Sequence, residues 1–191
     1  MAKQIIFLGT TENDGTGDTL RDSLDICNDN FNELYGSTGW AVYNDTTYTT
    51  GSPFLVTAGA PSQALPNNAA SKIETQLPID VATFYNGTTI TGRNGDAILI
   101  TIEFRCRPTT ASSDIRIKTA IDIGGSIGEV YPYEFNLTKG SGQEHDFLLT
   151  VNAYTLDTWE TNGGTIKVEA FNSNIEVYSI RYVISRTHKA R

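Results

Sequence analysis

His145 and His188, with Cys27 and Cys106, are the only histidines and cysteines in this chain, so little acid–base, metal or thiol chemistry is on offer. His145 lies between Glu144 and Asp146 where a turn gives way to a strand, and the trio holds an acid and a base. Neighbours on a strand point to opposite faces, so the trio reads as a solvated turn. Two histidines without a cysteine pair or a helical His-x-x-x-His make no metal site. No Gly-x-Ser-x-Gly nucleophile elbow and no Gly-x-x-x-x-Gly-Lys-Ser/Thr phosphate loop occurs. Glu12, Asp14 and Asp18 carry carboxylates that calcium accepts, but they lack EF-hand spacing, and a turn and a helix cap account for them. A carboxylate pair for glycoside hydrolysis is a spatial relation that sequence does not reveal. Trp40, Tyr43, Tyr48, Tyr85, Tyr154 and Trp159 are able to stack on sugars, yet each reads equally as core or interface. The expectation is a protein without catalytic residues, metal or cofactor.

The totals bound the rest. The 191 residues allow one domain with an appendage or two small domains. Charged residues are only 19%, and Thr, Asn, Gly and Ser dominate the polar remainder, a turn-rich all-β composition. A formal charge of −8 excludes a broad nucleic-acid or anionic-membrane footprint. The basic residues that gather in the final Ser-Arg-Thr-His-Lys-Ala-Arg read as a solvated terminus, or as a tail able to dock on an acidic partner. The two cysteines fall in unrelated segments and are expected as buried thiols, not a disulfide. No signal peptide or membrane span is expected, which implies synthesis and maturation in a cytoplasm.

One helix is expected, at about residues 18–35. Its apolar residues Leu20, Leu24, Cys27, Phe31 and Leu34 are spaced 4, 3, 4, 3, a heptad seam. Asp18 or Thr16 caps its start, and Gly36 stands where a left-handed C-cap belongs. A helix this short is marginal alone, so something must cover the seam. Packing on the chain's own body is one solution. The narrow stripe and the Gly-rich flanks favour the other, self-association. Ahead of it, Ile5, Ile6, Phe7 and Leu8 form a short apolar segment with strand propensity, suited to a sheet edge or a partner's groove.

From Trp40 onward, strict alternation is punctuated by turns, the mark of an antiparallel sandwich or barrel. The expected inward sets are Ile98, Ile100, Ile102, Phe104 and Cys106; Ile115, Ile117, Ile121 and Ile123; Tyr131, Tyr133, Phe135 and Leu137; Phe147, Leu149, Val151 and Ala153; and Ile166, Val168 and Ala170. Residues 52–80 read as extended loop with short strands at 54–56 and 71–76. The last strand carries apolar groups on both faces: Ile175, Val177 and Val183 on one, Tyr178, Ile180, Tyr182 and Ile184 on the other. A strand apolar on both faces is covered on both. An N-terminal segment of the same chain or a neighbouring subunit could supply the second cover; with the heptad arm pointing to self-association, the even set is expected to meet neighbouring subunits in a trimer, with tyrosine suited to an interface.

The run Asn13-Asp14-Gly15-Thr16-Gly17-Asp18-Thr19-Leu20-Arg21, followed by Asn28-Asp29-Asn30-Phe31-Asn32-Glu33-Leu34-Tyr35, resembles a segment near the N-terminus of tailed-bacteriophage virion proteins of the fibre and decoration type. The body resembles the trimeric jelly-roll heads of tumour-necrosis-factor or C1q topology found on phage fibres and capsid decoration proteins. The resemblance implies a mainly β fold, a jelly-roll-like antiparallel β-sandwich (residues 40–191) preceded by a short amphipathic helix in an N-terminal arm (residues 1–39). It implies a non-enzymatic homotrimer on the virion, made in the bacterial cytoplasm, with the seam as trimer contact and Ile5 to Leu8 as anchor. The implied partner is the major capsid protein, with a tail protein as the alternative. The role implied is capsid decoration, cement or short head fibre. The alternatives are a fibre tip that recognises a host glycan and, more remotely, a depolymerising enzyme on a trimeric scaffold.

Overall fold

The computed structural model describes residues 4–11, 15–111, 114–137 and 140–190. Helix α1 (Leu20–Gly36) comes first, then β1 (Gly39–Asn44), β2 (Phe54–Val56), β3 (Gln63–Ala64), β4 (Ser71–Gln76), β5 (Asp96–Pro108), β6 (Arg116–Asp122), β7 (Glu129–Asn136), β8 (His145–Thr155), helix α2 (Asp157–Asn162), β9 (Thr165–Phe171) and β10 (Ile175–His188). The strands form two sheets, β4-β1-β10-β5-β8 with β2 also on β10, and β3-β9-β6-β7. Neighbours in both sheets pair antiparallel. This is the antiparallel sandwich that the alternation predicts, in the jelly-roll-like form that the resemblance implies.

Period two explains the core. Ile98, Ile100, Ile102, Phe104 and Cys106 of β5 are buried against Ile117, Ile121, Ile166 and Val168 of the other sheet. Phe104 and Phe147 stack with ring centroids 4.3 Å apart. Tyr43, Tyr85 and Tyr182 meet edge to face, and each hydroxyl has a partner: Glu74 for Tyr43, the Asn67 carbonyl for Tyr85, the Leu65 carbonyl for Tyr182. Buried tyrosines are tolerable only on that condition.

Among the irregularities of pairing, those in β10 and β7 change which expected residues face inward. In β10 the pairing runs from Tyr178 opposite Arg105 to Arg181 opposite Glu103, one residue more on β10 than on β5. Ser179 sits in this bulge with φ 54°. An extra residue reverses which parity faces inward. Ile175 and Val177 are therefore core before the bulge, and Ile180, Tyr182 and Ile184 after it. Tyr178 alone of the even set stays on the outer face, buried beneath Arg107, whose guanidinium carbon lies 5.6 Å from the ring centroid. In β7 another irregularity sets four residues, Val130 to Tyr133, against the three from Thr119 to Ile121. Tyr131 takes φ 53° there, and Tyr131 and Tyr133 are exposed where inward positions were expected. Helix α2, absent from the sequence expectation, is a single turn and a half that buries Trp159, whose indole N–H donates to the Ile90 carbonyl.

Candidate functional site

Helix α1 begins with Thr19 as N-cap, its hydroxyl oxygen accepting from the Asp22 amide at 3.2 Å. Asp18 and Thr16 were the expected caps. Asp18 instead accepts from the Phe7 amide at 2.7 Å, and its own amide donates to the Phe7 carbonyl. Asn30 clasps Gln4 in the same reciprocal way, through both the amide and the carbonyl of Gln4 at 3.0 Å. The segment from Gln4 to Leu8 is thus tied to the helix by side-chain clips and joins no sheet. Ile5, Phe7 and Leu8 remain exposed and Ile6 is half-buried. Glu12 and Asp14, the other carboxylates of that turn, lie outside the described residues.

No residue of α1 is buried. Leu20 is 77% and Leu34 64% exposed; Leu24 and Phe31 are also exposed, and Cys27 is half-buried. At 100° per residue these five share one face, and Asp22, Asp25, Asp29 and Glu33 line the opposite one. The helix ends without the expected glycine cap: Gly36 is its last residue and Ser37 the C-cap in right-handed geometry.

The root of the arm is firmly held. The Ile79 amide donates to the Gly36 carbonyl at 3.0 Å. Arg186, 1% exposed at its side chain, donates from Nε to the Ser37 carbonyl at 2.6 Å and pairs with Asp96 at 3.2 Å and with Asp80. Lys189 Nζ lies 3.1 Å from Asp80, and the Ala190 amide donates to Asp96. Through Arg186, Lys189 and Ala190 the described part of the basic tail binds its own body. Burial works against ionisation of Asp80, but the bonds from Arg186 and Lys189 outweigh it and hold the carboxyl down at about 2.

The two outer sheet faces differ. Cations and anions interlock on the four-stranded sheet: Arg116 with Glu134 at 2.8 Å, Lys118 with Glu129 at 2.9 Å and Glu169 at 2.8 Å, Lys167 with Asp122 at 3.6 Å. The six-stranded sheet has an apolar half toward the arm. Pairing sets Trp40 beside Ser185 and Leu99, and Ile73 beside Val42, Val183 and Thr101, with Leu148 and Tyr154 on β8. Trp40, Ile73, Leu148 and Tyr154 are exposed. Leu148 stands opposite Glu103, which pairs with Arg181 at 3.4 Å, and beyond that row the face carries the pairs Arg105–Asp146 and Arg107–Glu176.

The expected interface residues Tyr178, Ile180, Tyr182 and Ile184 are buried within the single chain and offer nothing to a partner. Beyond the bulge the outward residues of that strand are Arg181, Val183 and Ser185. Sequence reasoning missed this face because a bulge, not a second cover, makes β10 apolar on both parities.

The possible chemistry disperses. Glu144 accepts from the Tyr178 hydroxyl at 2.6 Å, Asp146 pairs with Arg105, and the His145 ring lies edge-on to Phe135. Burial pushes the Cys106 thiol up to about 12, so it is inert. Tyr43, Tyr85 and Trp159 are buried and unavailable to a sugar. Among the described residues no three His, Cys, Asp or Glu side chains gather as metal ligands, and no helix is long and apolar enough to cross a membrane.

Two packed antiparallel sheets in this order define a jelly-roll sandwich. No family model matches the sequence, and no curated protein matches it either. Solved structures do match in fold. The Eiger TNF of S. frugiperda superposes with a TM-score of 0.50 at 9% identity, over 80% of this chain and 95% of that one. The globular domain of the zebrafish complement 1qA protein gives a TM-score of 0.39 at 9% identity, over 81% and 98%. The PRD1 vertex protein P5 gives 0.39 at 10% identity, over 80% and 96%. At 9% identity the likeness to the Eiger TNF concerns the fold alone.

Proposed function

We propose that this chain is a non-enzymatic homotrimeric surface protein of a phage virion, with an N-terminal arm (residues 1–39) that aligns and anchors three copies and a jelly-roll head (residues 40–191) displayed outward. The observation that carries this reading is the uncovered seam. An apolar heptad stripe on a helix with no buried residue is unstable in water as an isolated element, and a second and third copy cover it without further parts. The acidic stripe opposite the seam then faces outward, where its like charges oppose pairing through the wrong face. The apolar half of the six-stranded sheet begins at Trp40, four residues after the helix ends, and extends the same contact from arm to head. The phage-like run Asn13 to Tyr35 supports the particle as its site, made in the host cytoplasm. The proposed role is capsid decoration, cement or short head fibre, with Ile5, Ile6, Phe7 and Leu8 as the apolar strip that meets the major capsid protein.

The pair Leu24→Asp, Phe31→Asp touches no buried position, and it should convert trimers to monomers in sedimentation at micromolar concentration. Trimers that persist would remove the seam from the assembly. Cys27 gives a second reading of the same contact, since Cys106 is buried: mild oxidation should cross-link chains through Cys27 alone. The role itself is tested by electron microscopy of particles lacking the protein and then resupplied with it. Density at capsid symmetry axes is expected. Density confined to the tail would favour a second reading, a fibre tip that recognises host glycan, for which the exposed Tyr131 and Tyr133 on β7 are the available stacking surfaces.

A further inference from the structure

A sheet edge with unpaired backbone N–H and C=O groups is a template for another strand, and the edges of this sandwich are guarded unequally. On the four-stranded sheet β3 is two residues long, and β7 carries Pro132, which has no N–H to give, beside the irregularity at Tyr131 with φ 53°. On the six-stranded sheet β4 carries the charged pair Lys72–Glu74, and its pairing with β1 is broken by a register shift. The β8 edge has none of these devices. It runs for 11 residues and pairs with β5 without a shift, from Cys106 opposite His145 to Asp96 opposite Thr155. From Phe147 to Thr155 it holds no proline and no charged residue. Among the described residues no strand lies on its outer side. Leu148 and Tyr154 stand exposed on its outward face, and Leu149, although it packs on the core, is only half-buried.

We propose that β8 pairs antiparallel with β8 of a second copy, joining two six-stranded sheets into one across a twofold axis at Val151. The strand is self-complementary in that register. Thr150 falls opposite Asn152 and Leu148 opposite Tyr154, each twice, so that aliphatic and aromatic groups meet across the join on the outward face. On the inward face Leu149 meets Ala153 and gains the cover it lacks. Asp146, the one charged side chain on the outward face of β8, falls beyond the paired stretch; a shift toward the start of the strand would set it against Tyr154 or Asn152. The contact is isologous and lies at a sheet edge, not on the seam of α1. It therefore goes beyond the trimer reading and links the head of one trimer to the head of the next. One pair of strands is a small contact, so free chains should join only toward millimolar concentration, a range that copies held side by side on a shell reach.

The test is sedimentation equilibrium of the full chain carrying Leu24→Asp and Phe31→Asp, followed from micromolar to millimolar concentration. Monomers should give way to dimers as concentration rises. Adding Thr150→Lys and Asn152→Lys sets like charges opposite each other twice and should weaken the dimer about ten-fold or more. Thr150→Lys with Asn152→Glu sets Lys opposite Glu twice and should restore it. Both positions are exposed, so the melting temperatures of the monomers should stay together. A chain still monomeric at millimolar concentration, or a dimer indifferent to both charge pairs, overturns the proposal. A seam variant that stays trimeric would remove the seam reading instead, and the same charge pairs would then decide the edge through hexamers: their absence, or their indifference, overturns it. Protection of the β8 amides from hydrogen exchange only on the particle, with no dimer in solution, would give the edge to a strand of another virion protein and overturn the second copy as its occupant.

Discussion

One guanidinium ties the last residues of the arm to three parts of the body. Arg186 reaches Ser37, 149 residues away in sequence, as well as Asp80 and Asp96. Replacing it with Met leaves Asp96, itself 4% exposed, as a buried charge held only by the peripheral Arg93 and the Ala190 amide. Removing one partner of such a pair costs about 3–5 kcal/mol, and a denaturant melt of Arg186→Met should register a loss of that order. Arg186→Met with Asp96→Asn should recover part of it. A near-neutral single variant would show that solvent, not the pair, satisfies Asp96. Asp80 gives a prediction in pH. Its folded carboxyl titrates at about 2, below the ordinary value near 3.9, so its stabilising contribution is complete above pH ~4 and fades as pH falls through ~2. Asp80→Asn should lower stability at neutral pH, and the gap between variant and parent should close on acidification from pH ~4 to ~2. A gap that stays constant over that window would mean the ionised carboxylate is not what Arg186 and Lys189 hold.

Among the elements, β10 shows how one backbone conformation decides the fate of a strand. Ser179 is exposed with φ 54°, a region that costs a non-glycine residue roughly 1–2 kcal/mol. Ser179→Gly relieves that strain, with a partial offset from the freer unfolded chain, and should raise stability by up to ~1 kcal/mol in urea melts. Ser179→Val, β-branched and ill-suited to this region, should lower it by a similar amount or more. Should valine prove the more stable, the bulge would not exist in solution, and Ile180, Tyr182 and Ile184 would return as outward candidates. Helix α1 is the contrasting case: its local signals mark where it lies, but its stability rests on whatever covers its seam.

For the molecule as a whole, the two outer faces present different surfaces to the surroundings. The ion-paired face of the four-stranded sheet is already satisfied with water around it. Trp40, Ile73, Leu148 and Tyr154 on the other sheet are not. Because Leu148 is 66% exposed, Leu148→Lys should leave the melting temperature of the monomeric head nearly unchanged. If the face joins subunits, sedimentation of the variant should show a weaker trimer, as expected when a charge enters an apolar contact. A trimer of unchanged strength would confine the contact to the helix seam.

The sequence alone determined whatever depends on near neighbours. The inward sets of β5, β6 and β9 follow from period two, the short strands β2 and β4 lie where turns and residue types placed them, and α1 with its seam follows from a spacing of three and four. Neither Cys106 in the core nor the scattered disposition of Glu144, His145 and Asp146 needed coordinates. Tertiary structure alone decided the rest. The bulges at Ser179 and Tyr131 exist relative to a partner strand, and a one-residue slip is invisible in the strand's own pattern. The tail of the chain reads as loose and basic until Asp80 and Asp96, about a hundred residues earlier, are brought against it. The seam was legible, but the face that continues it was not, because a face is assembled from β1, β4, β5, β8 and β10, and only their pairing puts Trp40, Val183 and Leu148 on the same side.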